Sequence, residues 1–216
     1  MIFLVTIWVV KYIEIKFGLS FAHFGILPME LSGLKGILAA PLIHGDLQHL
    51  YHNSVPFVIL SLGVIYFYGE VSDKILLYSY LGTGILVWFF GRPSFHIGAS
   101  GVVYALASFV FFSGLIRRHA QLIAVSLLVV FLYGGMVWGV LPVSAEISWE
   151  SHLLGAIMGL ILAVVYRKMG PQRKKYDWEL EEEEALNLSQ EAEYWQPSVK
   201  INYQYKPKEH KDETKG

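Results

Sequence analysis

The chain has 216 residues, of which 54% are hydrophobic and only 16% charged, whereas soluble domains are about 45–50% apolar and about 25% charged. A net charge of −1 and a pI near 6.7 speak against a nucleic-acid partner. The absence of cysteine excludes disulfides, a thiol nucleophile and thiolate-bound metals. Most of the charge lies beyond Arg167, in runs such as Arg173-Lys174-Lys175 and Glu181 to Glu184, so the part before it is more apolar still.

Six stretches have the length and apolarity of a membrane-crossing helix, which takes about 20 residues. They run over about 1–19, 47–68, 74–90, 99–116, 121–141 and 151–167. Between them lie turn-forming segments such as Gly69-Glu70-Val71-Ser72-Asp73, Gly91-Arg92-Pro93 and Arg117-Arg118-His119. The first stretch carries Lys11, Glu14 and Lys16 in its second half, and no small-residue cleavage site follows it. It reads as a helix whose outer half packs against protein or snorkels. The expected fold is therefore an all-α membrane protein, a six-transmembrane-helix bundle over residues 1–168. A charged, weakly structured cytoplasmic tail over 169–216 follows it, with Trp178, Tyr194 and Trp195 among its aromatic residues.

Lys and Arg in short loops set orientation. Lys74, Arg117, Arg118 and the residues after Arg167 fall on one side. The other side has Lys35, Arg92, Glu146 and Glu150. Both termini are thus expected in the cytoplasm, and the compact size without a transit peptide points to a bacterial inner membrane. Membrane lipid is the expected surrounding, and oligomeric state is left open.

Polar side chains at membrane depth are costly, about 2.5–3.5 kcal/mol for a central charge, so each asks for a reason. Ile97-Gly98-Ala99-Ser100-Gly101 opens the fourth stretch. From Ser100 to Ile116 a helix rises about 25 Å, against a hydrocarbon core of about 30 Å, which puts Ser100 just below the outer surface. Flanking glycines allow a close backbone approach, and the helix start leaves N–H groups free for an anion. Taken alone, the segment also reads as a small-residue packing patch, common in membrane helices.

His152 opens the sixth stretch at a comparable depth, with Gly155 and Gly159 on the same helical face. The glycines suit a close helix–helix approach, although an interfacial histidine bonded to a carbonyl reads the same way. In His44-Gly45-Asp46-Leu47-Gln48-His49-Leu50-Tyr51-His52-Asn53, Asp46 is an N-cap. His49 and Asn53, four apart, present hydrogen-bond donors on one face, as an oxyanion site requires. The three histidines also fit zinc, but no acidic fourth ligand or His-Glu-x-x-His helix accompanies them, so neither metal nor other cofactor is expected. Tyr104 lies one turn after Ser100, where it could stack on an imidazole or serve as ordinary core.

At these residues the sequence resembles the rhomboid intramembrane proteases, over roughly residues 1–168. The resemblance rests on Gly98-Ala99-Ser100-Gly101 with Val102 to Leu106 behind it, on His49 and Asn53, and on His152, Gly155 and Gly159. It implies that Ser100 is the nucleophile and His152 its general base, a dyad without a carboxylate. It further implies that His49, Asn53 and the Ser100 N–H stabilise the oxyanion, and that Tyr104 packs on His152. Gly98 would shape the loop to the serine, and Gly155 and Gly159 would seat helix six against helix four. The implied substrates are single-pass transmembrane proteins with a helix-destabilising segment and a small residue at the cut. Many members carry a Trp-Arg pair in the first outer loop, whereas residues 20–46 contain neither. Two rival readings are a catalytically dead, client-binding relative and a small channel or transporter using His49, His52 and His152 as a polar path. The first usually lacks the serine or the histidine, and the second often shows repeated halves, which are not evident here.

Overall fold

The computed structural model describes residues 2–132, 141, 148–171, 177–194 and 204–205. The chain divides into two units, Met1–Arg173 and Lys174–Gly216. Among the described residues of the first unit, the α-helices are α1 (Ile2–Phe17), α2 (Gly36–Ala39), α3 (Leu47–Tyr68), α4 (Ser72–Phe90), α5 (Ser100–Arg117), α6 (Ala120–Leu132) and α7 (Trp149–Val165). The expected helical stretches match these within a few residues. The part of the fifth stretch from 133 to 140, together with Glu146, lies outside the described residues.

α5 is the central helix. It alternates small and apolar side chains all round and is buried from Ser100 to Val103 and again from Ala105 to Val110, as expected of a helix without a solvent face. α7 is its principal partner, with α6, α3 and α4 completing the surround. Leu60, Val64, Ile75, Leu106, Phe109 and Leu122 form the centre of the core and are fully buried. Outward, the bundle shows large apolar side chains such as Tyr66, Phe90, Phe131 and Val165. So much exposed apolar surface is untenable in water. By length and composition, the helical stretches Leu47–Phe90 and Ser100–Arg117 can cross a bilayer. The first of these is α3 and α4, joined at Gly69, whose positive φ of 39° favours glycine. The molecule is an all-α membrane bundle.

Residues 20–46 are not a loose loop. Short helical turns fold them back so tightly that a Cβ on Gly33 would lie 2.1 Å from the Leu27 carbonyl oxygen, and one on Gly36 2.3 Å from that of Gly25. The segment is tied down by a two-residue bridge between Ile26 and His96. Trp88 adds a second anchor, donating from its indole nitrogen to the Glu30 carbonyl at 2.9 Å. A tryptophan from α4 thus helps hold a loop that has no tryptophan or arginine of its own.

Three charged residues, Arg117, Lys11 and Glu14, are buried against protein. Arg117 belongs to the last turn of α5, not to a loop, and is buried. It donates to the carbonyls of Tyr166 and Pro171 and stacks over Tyr68. The carbonyls at the end of α7 need donors, and a guanidinium supplies them. In α1, Lys11 and Glu14 face protein and are buried, whereas Lys16 is exposed.

In the second unit, where a weakly structured tail is expected, Asp177–Tyr194 forms helix α8. Its Glu, Ala, Leu and Gln content favours a helix even when exposed, and its Trp178, Leu186 and Leu188 are exposed. Trp195 and Arg173 to Lys175 lie outside the described residues.

Candidate active site

The segment leading to Ser100 is shaped by two requirements at Gly98. Its φ of 103° is one that side-chain-bearing residues rarely adopt, and a Cβ there would meet His49 Cε1 at 2.7 Å. The Gly98 N–H donates to the Ala40 carbonyl at 2.9 Å, and the Ala99 N–H donates to His44 Nε2 at 3.3 Å. The chain then enters α5 with Ser100 as its first residue.

α7 brings His152 to this point because its glycines let backbone meet backbone. A Cβ on Gly155 would lie 2.1 Å from the Gly101 carbonyl oxygen, and one on Gly159 2.1 Å from that of Ala105. At this separation His152 Nε2 is 2.8 Å from Ser100 Oγ, within the range of a hydrogen bond. Both residues are buried. The Tyr104 ring stacks on the imidazole, fixing the plane of His152 against α5.

α3 brings His49 and Asn53 to the same place. The Asp46 carboxylate accepts the His49 N–H at 2.7 Å and caps the helix; that bond holds the carboxyl below the usual carboxylate range. His49 then lies against Gly98, and Asn53 Nδ2 approaches the same glycine. Asn53 is buried, and among the described residues its Nδ2 has no hydrogen-bond partner. A buried, unsatisfied amide donor calls for an explanation.

Further residues at this end, His44 of the histidine-rich segment among them, meet the site only through the tertiary structure. His44 is buried, which pushes its pKa down to about 3, with His49 adding to the effect; it is therefore neutral and can accept the Ala99 N–H. His96, also lowered by burial, donates from Nε2 to the Arg92 carbonyl at 3.0 Å. Its Nδ1 therefore accepts from Ser148, whose hydroxyl also meets that of Ser151, the residue before His152. Arg92 Nε pairs with the buried Glu150 at 3.3 Å. A cavity of about 20 Å³, lined in part by Thr83, His96, Gly98, Gly101 and Ser151, has room for about one water. The described residues contain no group of three His, Asp or Glu side chains placed to hold a metal ion.

The helical fold and its apolar exterior define an integral membrane protein of the all-α kind. A family model described as the Rhomboid domain matches residues 31–169, and the chain belongs to the rhomboid family, which is known for intramembrane serine proteases. Uncharacterized proteins of Mycobacterium tuberculosis and Mycobacterium bovis are each 32% identical to it over 185 residues, covering 80% of this chain and 75% of theirs. One from Mycobacterium leprae is 32% identical over 183 residues, covering 80% of this chain and 71% of its own.

Proposed function

We propose that this chain is a serine endopeptidase that cleaves single-pass membrane proteins within or near their transmembrane segment, with Ser100 as nucleophile and His152 as general base. The observation that carries this reading is the 2.8 Å contact between His152 Nε2 and Ser100 Oγ, made across two helices. His152 takes the hydroxyl proton as Ser100 Oγ attacks the substrate carbonyl carbon, giving a tetrahedral oxyanion and an imidazolium. The imidazolium then returns the proton to the leaving amine nitrogen, and the acyl-enzyme is hydrolysed by water activated in the same way.

His49, Asn53 and the Ser100 N–H are the donors to the oxyanion, and the unpartnered Nδ2 of Asn53 is the group that the oxyanion would satisfy. Tyr104 holds the imidazole in plane, Gly98 keeps the approach to the serine open, and Gly155 and Gly159 keep α7 on α5. A spanning helix hides its backbone in hydrogen bonds, so the substrate unwinds locally before it is cut. The chain spans the membrane six times with both termini in the cytoplasm, as in a bacterial inner membrane, a setting that fits the mycobacterial relatives.

The test is cleavage of a model single-pass substrate in liposomes by wild type, Ser100→Ala and His152→Ala. Cleavage by wild type alone is expected, and equal cleavage by all three would refute the dyad.

A further inference from the structure

A lysine and a glutamate buried in a membrane-embedded bundle are expensive to desolvate and are retained only where the geometry repays them. Lys11 and Glu14 share one face of α1 with the fully buried Ile7. The Lys11 ammonium spends its donors on three acceptors: Glu14 Oε2 at 3.1 Å, the His44 carbonyl at 2.9 Å and the Gly45 carbonyl at 2.8 Å. The other carboxylate oxygen of Glu14 accepts the Phe21 N–H at 2.7 Å. The pair therefore grips both ends of the 20–46 segment. Its grip at 44–45 falls immediately before Asp46, the cap that starts α3 and bonds the His49 N–H. His44, whose carbonyl Lys11 holds, is also the acceptor for the Ala99 N–H next to Ser100.

We propose that Lys11, oriented by Glu14, is a positioning residue for the oxyanion donors, setting through the 44–45 turn where His49 and Asn53 lie relative to Ser100. This rests on the protease reading above. Lys11 touches no reacting atom and acts only through the backbone it holds. An apolar side chain at position 11 would take the ammonium from the buried His44 carbonyl, the Gly45 carbonyl and Glu14 Oε2, and free the turn. Misplacement of a donor by about 1 Å can cost about 100-fold in rate.

The test is a double-mutant cycle on the full chain in liposomes, with the same single-pass substrate and with Ser100→Ala as the zero of activity. Lys11→Met is expected to lower kcat by about 100-fold with KM changed by no more than about twofold. Lys11→Arg should recover most of the loss. In the Lys11→Met background, His49→Ala should cost far less than it does in wild type, because both changes remove the same interaction. If Lys11→Met does not fold, Lys11→Gln, which keeps a donor, takes its place in the cycle. An unchanged kcat, or losses that multiply in full, would overturn the positioning role while leaving the dyad intact. Wild type no more active than Ser100→Ala would remove the protease reading and this proposal with it.

Discussion

Tyr104 lies flat against His152, with ring centroids 4.2 Å apart and planes inclined by only 11°. The two come from different helices, α5 and α7, so the stack carries the orientation of one helix over to the side chain of the other. Stacked aromatic pairs are worth about 0.5–1.5 kcal/mol beyond their burial. Tyr104→Phe keeps the ring face and should retain most of kcat. Tyr104→Leu should lower kcat about tenfold, in line with the upper end of that range. Steady-state cleavage by the two variants checks this, and equal rates for both would refute the orienting role.

The spacing between those helices depends on Gly155. Its absent Cβ would sit 2.1 Å from a backbone oxygen of α5, and backbone cannot give way as a flexible side chain can. Gly155→Ala should therefore push α7 outward, costing about 1–3 kcal/mol of stability and lengthening the contact between Ser100 and His152. Thermal unfolding in detergent, measured beside cleavage, should show both losses. A fully stable and active Gly155→Ala would mean that the helices are not in this contact.

Asn53 offers a cleaner separation of stability from activity. Its Nδ2 is buried without a partner among the described residues, so removing the amide takes away a desolvation penalty rather than a hydrogen bond from this nitrogen. Asn53→Ala should fold nearly as well as wild type while kcat falls about 100- to 1,000-fold, the cost of losing one oxyanion donor. A large drop in melting temperature with little change in kcat would assign Asn53 to the scaffold instead.

Two histidines outside the spanning helices, His44 and His96, set a pH dependence. Burial lowers the pKa of His44 to about 3 and that of His96 in the same direction, while in the unfolded chain each titrates near 6.5. Below that value the unfolded state binds more protons than the folded one, so stability falls as pH drops. Each such histidine contributes a slope of up to about 1.4 kcal/mol per pH unit between 6.5 and its folded pKa. Above pH 7 these two groups leave stability flat. Melting temperatures at pH 8, 7, 6 and 5 should be level between the first two and decline over the rest.

The helical stretches of the bundle were readable because apolar composition and helical length are local properties. Likewise, Gly98 to Gly101, the pair His49 and Asn53, and the series His152, Gly155 and Gly159 follow spacings within single segments. The apolar run of α5 even indicates that it lies at the centre. Other features depend on residues distant in sequence meeting in space. Nothing local says that Lys11 reaches the carbonyls of His44 and Gly45, or that Trp88 holds Glu30 and His96 pairs with Ile26. Nor does anything local say that Arg117 closes the end of α7. The sequence leaves the α1 charges either packed on protein or snorkelling, and places Arg117 in a surface loop, because a linear pattern registers a charge without its partner. Folding decided their place, since only packed helices bring enough acceptors together to bury an ammonium or a guanidinium. The chemistry of the site could thus be listed from its residues. The 2.8 Å between Ser100 and His152 came from the packing of α7 on α5, because a hydrogen bond between helices requires their backbones to be fixed relative to each other.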